Sequence, residues 1–278
     1  MKWIKLYFRL LNRYLQYFYR AKTRYDVHAP FAFAFTEQVL EDDRQYYAFR
    51  DIELLRNGLL KDKTQIAVQD YGAGSRVDQR RHREVRSIAR YSAVSPSSGQ
   101  LLFRLVQFLK PQTLLELGTS LGISGAYQAA AASTARMITL EGCPETAALA
   151  RQHFQNLGLT SVEARIGRFE EELPAALSQL GQVDYLYIDG DHRRGATTAY
   201  LKACLPYLHP HAVVVLADIH WSNEMEAAWA ELREQDGVRL SIDLFHFGLL
   251  FFRPEQKTPQ QLTLIPARFK PWRMGFFG

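Results

Sequence analysis

The sequence predicts an α/β protein whose core is a doubly wound, mostly parallel sheet, and three observations carry that expectation. LLELGTSLGISGAY at residues 114–127 runs from an apolar segment through a carboxylate and two glycines into a small-residue helix. That is the order in which a buried strand, a tight turn and a crossover helix follow one another. A second apolar run, MITLE at 137–141, follows an Ala-rich segment and ends in an acid 25 residues after Glu116. Two further apolar runs, VDYLYIDGDH at 183–192 and AVVVLADIHW at 212–221, also end in acids and histidines. Strand ends of that kind are where open α/β sheets bind ligands.

The first turn is read from its residue types. Leu114 and Leu115 suit a buried strand, and Glu116 places a carboxylate near its end. Gly118 and Gly122 let the backbone turn tightly and approach a ligand with no Cβ in the way, with Thr119 and Ser120 between them. A dinucleotide fingerprint needs Gly-x-Gly-x-x-Gly, and Ser120 interrupts it; no Gly-Lys-Ser/Thr closes a phosphate loop. At the tip of the second strand Glu141, followed by Gly142, can hold a ribose diol through two charge-assisted hydrogen bonds. The turn therefore predicts a nucleoside cofactor without a pyrophosphate cradle.

With VSPSSGQLLFRLVQFLKPQTLLELGTSLGISGAY, YLYIDGDH and VVVLADIHW in view, the chain from Ala93 to Phe252 resembles the class I S-adenosylmethionine-dependent methyltransferases, in the O-methyltransferase branch that includes catechol and caffeoyl-CoA enzymes. The resemblance implies a Rossmann-like, doubly wound seven-stranded sheet of order 3-2-1-4-5-7-6 with its last strand antiparallel. It implies S-adenosylmethionine as cofactor and transfer of its methyl group to a hydroxyl oxygen of a small-molecule acceptor, by in-line displacement. The cofactor domain is expected over 93–278, after an N-terminal helical lobe or lid over 1–92. Two other readings stay open: an NAD(P)-dependent oxidoreductase on a similar sheet, which the missing middle glycine disfavours, and a non-catalytic, membrane-associated protein that keeps the sheet.

The resemblance also assigns roles by position. Glu116, Gly118, Thr119, Ser120, Gly122, Glu141 and Gly142 are expected at the cofactor, with Asp189 at the fourth strand end. After the third strand the family borders the adenine; here Gly167 is followed by Arg168 and Phe169, either of which can pack on the ring. Metal-dependent relatives bind a divalent cation such as Mg through one carboxylate from each of the fourth and fifth strand ends and a neighbouring Asn. This chain has Ile219 at that Asn, so the expected ligands are Asp189, Asp218 and His220. An acceptor hydroxyl of phenolic type has a pKa of about 10 and needs a base or a cation near neutral pH. His220 is the first candidate for that base and His192 the second, with Asp189 beside them.

Charge is placed unevenly. Residues 1–25 hold seven Lys and Arg and no acid against a whole-chain net charge of +5, which leaves the remainder at −2 and disfavours nucleic-acid binding by the main domain. Ile4, Phe8, Leu11, Leu15 and Phe18 fall at helical spacing, with Lys2, Lys5, Arg9, Arg13 and Arg20 near the opposite face, predicting a basic amphipathic helix over 2–22. Charges recur too often for a transmembrane span, and a signal peptide's apolar centre is absent. Peripheral membrane contact, packing on its own domain, and packing on a twin subunit in a homodimer are its three uses. Cys143 and Cys204 make no disulfide framework, which predicts a reducing, cytoplasmic setting.

Three other stretches complete the reading. Thr36 is a plausible cap for a helix over 37–59. VQDYGAGSR at 68–76 imitates the cofactor turn but lacks a sheet context, so a loop or substrate-side turn is expected. Arg76, Arg83, Arg86 and Arg90 would share one side of a helix.

Overall fold

The computed structural model describes residues 2–69, 71–72 and 80–273. In chain order the helices are α1 (Lys2–Arg20), α2 (Pro30–Phe35), α3 (Tyr47–Leu59), α4 (Val85–Tyr91), α5 (Pro96–Leu109), α6 (Ile123–Ala131), α7 (Pro144–Asn156), α8 (Phe169–Leu180), α9 (Arg194–Cys204) and α10 (Asn223–Leu232). The strands are β1 (Gln65–Ala67), β2 (His82–Glu84), β3 (Thr113–Leu117), β4 (Arg136–Glu141), β5 (Val162–Ile166), β6 (Val183–Ile188), β7 (Leu208–Ala217), β8 (Leu240–Asp243), β9 (Phe247–Phe251) and β10 (Gln260–Thr263). Two compact units form, residues 44–209 and residues 1–43 together with 210–278.

Within 44–209 four parallel strands lie in the order β6-β3-β4-β5. The reason is visible in β3, whose Leu114, Leu115 and Leu117 are all buried, as a strand covered on both faces by helices requires. Ser95 caps α5, accepting a hydrogen bond from the Ser98 amide at 3.1 Å, and Pro96 occupies the first turn, where its missing N–H costs nothing. Gly99 in α5 lets the ring of Tyr127 in α6 lie directly on the helix backbone. Phe49, Phe103, Tyr127 and Phe154 belong to the core that packs α3, α5 and α6 together.

In the second unit the order is β10-β8-β9-β7, with β9 antiparallel to both β7 and β8 and β10 parallel to β8. These are stretches 4-1-2-3 and 6-7-5 of the expected order, each within its own unit, and β10 is a strand that the sequence reading did not anticipate. Its polar Gln260 and Gln261 are exposed, so it lacks the apolar signal of the other strands. The tail returns to α1. The buried Tyr17 hydroxyl donates to the Leu264 carbonyl at 2.5 Å, Lys270 Nζ donates to the Ala21 carbonyl at 2.6 Å, and Arg273 pairs with Asp26 at 3.0 Å. The close of the tail, 274–278, lies outside the described residues.

Several local expectations need correction. The helix over 37–59 is a π-helical turn, Thr36–Leu40, then a break, then α3, because Thr36 donates backwards to the Phe33 carbonyl instead of capping forwards. The division at residue 92 does not coincide with the units, since the first 43 residues pack with the C-terminal strands. The arginine run does not share one helix side: Arg83 is on β2, Arg86 and Arg90 are on α4, and Arg76 lies outside the described residues.

Removing the Tyr17 hydroxyl strands a buried carbonyl at the point where the tail is fastened. Tyr17→Phe is expected to cost about 1–2 kcal/mol, read as a lower urea midpoint at unchanged m-value.

Candidate active site

The turn after β3 is built by three residues in left-handed backbone: Gly118 (φ 107°), Ser120 (φ 47°) and Gly122 (φ 79°). Gly118 also lies so close to the next strand end that a Cβ there would sit 2.4 Å from the Asp189 carbonyl oxygen. Only glycine satisfies both demands. The Gly118 amide donates to the Leu140 carbonyl at 3.0 Å and the Asp189 amide to the Leu117 carbonyl at 2.9 Å, so the turn is tied to both neighbouring strand ends.

Glu141 stands at the end of β4 with its carboxylate held by two backbone amides. The Ser120 amide donates to Oε2 at 2.7 Å and the Cys143 amide to Oε1 at 2.9 Å. The two oxygens are thus oriented at the mouth of the glycine turn. Ser120 owes its strained backbone to this contact.

Glu116 takes a different place from the one expected of it. It is fully buried and faces away from the crevice: Oε1 accepts from Ser124 Oγ at 2.7 Å and Gln128 Nε2 at 2.9 Å, and Oε2 from Thr139 Oγ1 at 2.6 Å. Thr119 is buried too and shares a 2.5 Å hydroxyl contact with Thr139. Both residues therefore brace the turn through internal hydrogen bonds. Burial pushes the Glu116 carboxyl up to about 7, against the opposing pull of its three donors.

At the end of β6 the backbone is strained again, with Asp191 at φ 65° and His192 at φ 29°. Asp189 Oδ2 accepts the Tyr187 hydroxyl at 2.8 Å, and His192 Nε2 lies 3.8 Å from Asp189 Oδ1. Asp191 is clamped by the Arg193 guanidinium through both carboxylate oxygens and accepts the Tyr200 hydroxyl at 3.2 Å. Phe169 packs over Gly190 and edge-on to Tyr200 at 5.4 Å, which commits its ring to the β6 side. Arg168 is exposed, its guanidinium 5.5 Å from the ring of Tyr71. Tyr71 in turn lies against Gly142. Tyr71 of the YGAGS segment thus borders the β4 end, while residue 70 and residues 73–79 lie outside the described residues.

In the other unit Asp218 closes β7 at φ 55°, its amide donating to the His246 carbonyl at 2.7 Å. Both ring nitrogens of His220, the first base candidate and an expected metal ligand, are engaged by carboxylates. Its Nδ1 lies 3.0 Å from Glu226 Oε1, its Nε2 lies 2.9 Å from Asp243 Oδ2, and its ring stacks on Phe245. Burial alone would lower its pKa, but Asp243 and then Glu226 outweigh that and hold it above the ordinary histidine value. Arg13 of α1 completes the group, pairing with Glu226 at 2.9 Å and donating to the His220 carbonyl at 3.1 Å. A strand-end histidine looked catalytic because its partners are remote in sequence. With both nitrogens engaged it links α10 and β8, and through Glu226 and Arg13 it reaches α1.

Some participants carried a signal that sequence reading passed over. Tyr187 lies two residues before Asp189 and so on the same strand face, and Ser124 and Gln128 are four apart on one side of α6. Arg193 and Tyr200 carried none.

Comparison with known proteins agrees with this geometry. A family described as methyltransferase domain matches residues 115–219, the span from β3 to the end of β7. The chain is 34% identical over 130 residues to a catechol O-methyltransferase of Niastella koreensis, covering 46% of this chain and 58% of that protein. Against the catechol O-methyltransferase of Mycobacterium tuberculosis it is 30% identical over 129 residues, covering 46% and 57%. It thus spans just over half the length of these two relatives. Among solved structures it shares the fold of the O-methyltransferase TomG from Streptomyces achromogenes in complex with SAM, at TM-score 0.54 and 18% identity over 79% of this chain and 94% of that one. An SAH-bound methyltransferase from Podospora anserina gives 0.51 and 19% over 59% and 81%.

The buried acid of the domain makes folding stability depend on pH. Glu116 has its folded pKa raised above the unfolded value, so the folded state holds a proton that the unfolded state has lost. Stability is greatest below about pH 4.5 and falls by on the order of 3 kcal/mol as pH rises to about 7. Glu116→Gln is expected to flatten that slope, measured as thermal midpoint against pH from 4.5 to 7.5.

Proposed function

We propose that this protein transfers the methyl group of S-adenosylmethionine to a hydroxyl oxygen of a small aromatic acceptor, a catechol or related phenol. The observation that carries the reading is the Glu141 carboxylate, fixed by the Ser120 and Cys143 amides beside a turn of left-handed residues. A diol donates two hydrogen bonds to a carboxylate so held, and charge-assisted bonds are the strong kind. The catechol O-methyltransferases among its relatives supply the acceptor class. An oxidoreductase reading gains nothing from the structure, since Ser120 occupies the turn with its own backbone and leaves no pyrophosphate cradle.

Within residues 44–209, Asp189 and His192 are the groups that face the reaction. Methyl transfer needs the acceptor oxygen in line with the sulfonium and its proton removed. His192 is the base in this reading, oriented by Asp189, which Tyr187 holds from the other oxygen. A divalent cation such as Mg would lower the acceptor hydroxyl's pKa, and within residues 44–209 Asp189 offers a donor of the hard kind it takes. Arg168 and Phe169 remain border residues of the cofactor crevice, with Gly142 forming its floor.

The second part of the proposal concerns α1. Among the described residues no helix is long and apolar enough to cross a membrane. Yet α1 leaves Phe8 (73% exposed), Leu11 (53%) and Leu15 (55%) on one outward stripe, with Tyr7, Tyr19 and Trp272 also exposed and Arg9 and Arg20 to the side. An apolar stripe flanked by aromatic rings and cations suits the surface of an anionic bilayer. A twin subunit is the competing cover.

Three measurements check these statements. Titration calorimetry is expected to show binding of S-adenosylhomocysteine but not of NAD, with Glu141→Ala weakening it by about 10-fold or more. Turnover of a catechol panel is expected to fall by about 10²–10⁴ in His192→Ala, while His220→Gln lowers thermal stability; a His220 variant of normal stability and no activity overturns the assignment. Sedimentation with phosphatidylserine vesicles is expected for the wild type and to be lost in Phe8→Glu/Leu15→Glu, whereas loss of a dimer by the same variant in ultracentrifugation would sink the membrane reading.

A further inference from the structure

Tyr71 and Gly72 follow β1 and lie against residues just beyond the ends of β4 and β6, with the Tyr71 ring beside the place of the nucleoside. A Cβ built on Gly142 would stand 2.7 Å from Tyr71 Cδ2 and 3.1 Å from Cε2, so the Tyr71 ring rests on the bare Gly142 backbone and occupies the place of a side chain. The next residue reaches the other side: a Cβ on Gly72 would stand 2.7 Å from the Cα of Asp191. Gly142 follows the end of β4 and Asp191 follows the end of β6, and β3 lies between those strands. Neighbouring strands are about 4.8 Å apart, so residues 71 and 72 span about 10 Å above the end of β3 and its glycine turn.

The strap is fastened within the same unit. Arg193, which clamps Asp191, also donates to the Tyr71 carbonyl at 3.3 Å, and the Tyr71 hydroxyl donates to Gln69 Oε1 at 2.9 Å. The Tyr71 ring is held at one edge by Gly142 and approached by the Arg168 guanidinium, and it remains 48% exposed. An aromatic face fixed beside a ribose-binding carboxylate is a stacking surface for a base, because every purine has a π-face and stacking needs no hydrogen-bond code.

We infer that Tyr71 is a cofactor-binding residue whose ring forms the wall on which the purine stacks, replacing the side chain that Gly142 lacks. The inference rests on the methyl-donor reading above. It also gives a use to YGAGS, a segment without a strand–turn–helix context of its own.

Titration calorimetry on the full chain tests it with S-adenosylhomocysteine and with 5′-methylthioadenosine, which keeps the purine and ribose but lacks the amino-acid half. Stacking on one aromatic ring is worth about 5- to 150-fold in Kd. Tyr71→Ala is expected to weaken both ligands by a common factor in that range. Tyr71→Phe, which keeps the ring, is expected to bind like the wild type. Tyr71→Leu, which keeps apolar area without a ring, is expected to fall between and guards against a folding defect in the alanine variant. An unchanged Kd in Tyr71→Ala overturns the inference, and so does tighter binding, which would make the ring a plug. A wild type that binds neither ligand overturns the methyl-donor reading itself, so the two failures are told apart.

Discussion

Glu116 receives hydrogen bonds from Ser124 and Gln128 on α6 and from Thr139 on β4, all without solvent, and the shape of the cofactor turn depends on that arrangement. The carboxylate joins the strand before the turn, the strand beside it and the helix after it. Thr139 then passes the constraint to Thr119 inside the turn. Gly125 is required for the same reason, since a Cβ there would meet Glu116 Oε2 at 2.8 Å. The acid's raised pKa says that desolvation outweighs its three donors.

A comparable group organises the other unit, with the opposite charge. His220 lies between Glu226 and Asp243 and is stacked on Phe245, and Arg13 brings α1 into the cluster. Two carboxylates around one imidazole stabilise its protonated form. In the proposed reaction the base is His192, which lies 3.8 Å from the Asp189 carboxylate. Strain marks that same segment, since Asp191 and His192 hold left-handed backbone without being glycine. Arg193 and Tyr200 hold Asp191 against that strain.

Legibility in the sequence followed how local each signal was. The parallel strands β3, β4 and β6 announce themselves by buried apolar runs, and Gly118, Gly122 and Glu141 by their spacing, because these depend on neighbours within one βαβ unit. The role of Glu116 was not legible, since a carboxylate at a strand end looks the same whether it faces ligand or helix. His220 misled for a related reason: the residues that occupy its nitrogens come from α10 and β8, at separations of 6 and 23. The strap at Tyr71 was invisible for a third reason. Its partners are glycines, and a glycine that receives a ring carries no mark of doing so. β10 lacked any pattern, being mostly polar and held by backbone pairing to β8 and to Lys22.

The two sides of α1 show why the helix is not accounted for by its own unit. Tyr17 is buried, Tyr14 meets Phe245 edge-on at 5.1 Å, and Phe18 packs near Trp272 and under Lys270 Nζ at 4.9 Å. Arg13 reaches the His220 cluster from the same side. That is enough to hold the helix, with a buried hydroxyl and a buried ammonium fixing its last turn. Phe8, Leu11 and Leu15 contribute nothing to it, yet they recur at the three- and four-residue steps that keep them on one stripe. Burial of apolar area is worth roughly 25 cal/mol per Å², so a stripe of exposed Phe and Leu is a standing gain for whatever covers it. Single exposed leucines need no cause, but a periodic stripe on a helix already anchored by its other side does. The cations beside it, with no acid in residues 1–25, make an anionic surface the cover that adds electrostatic attraction to that gain.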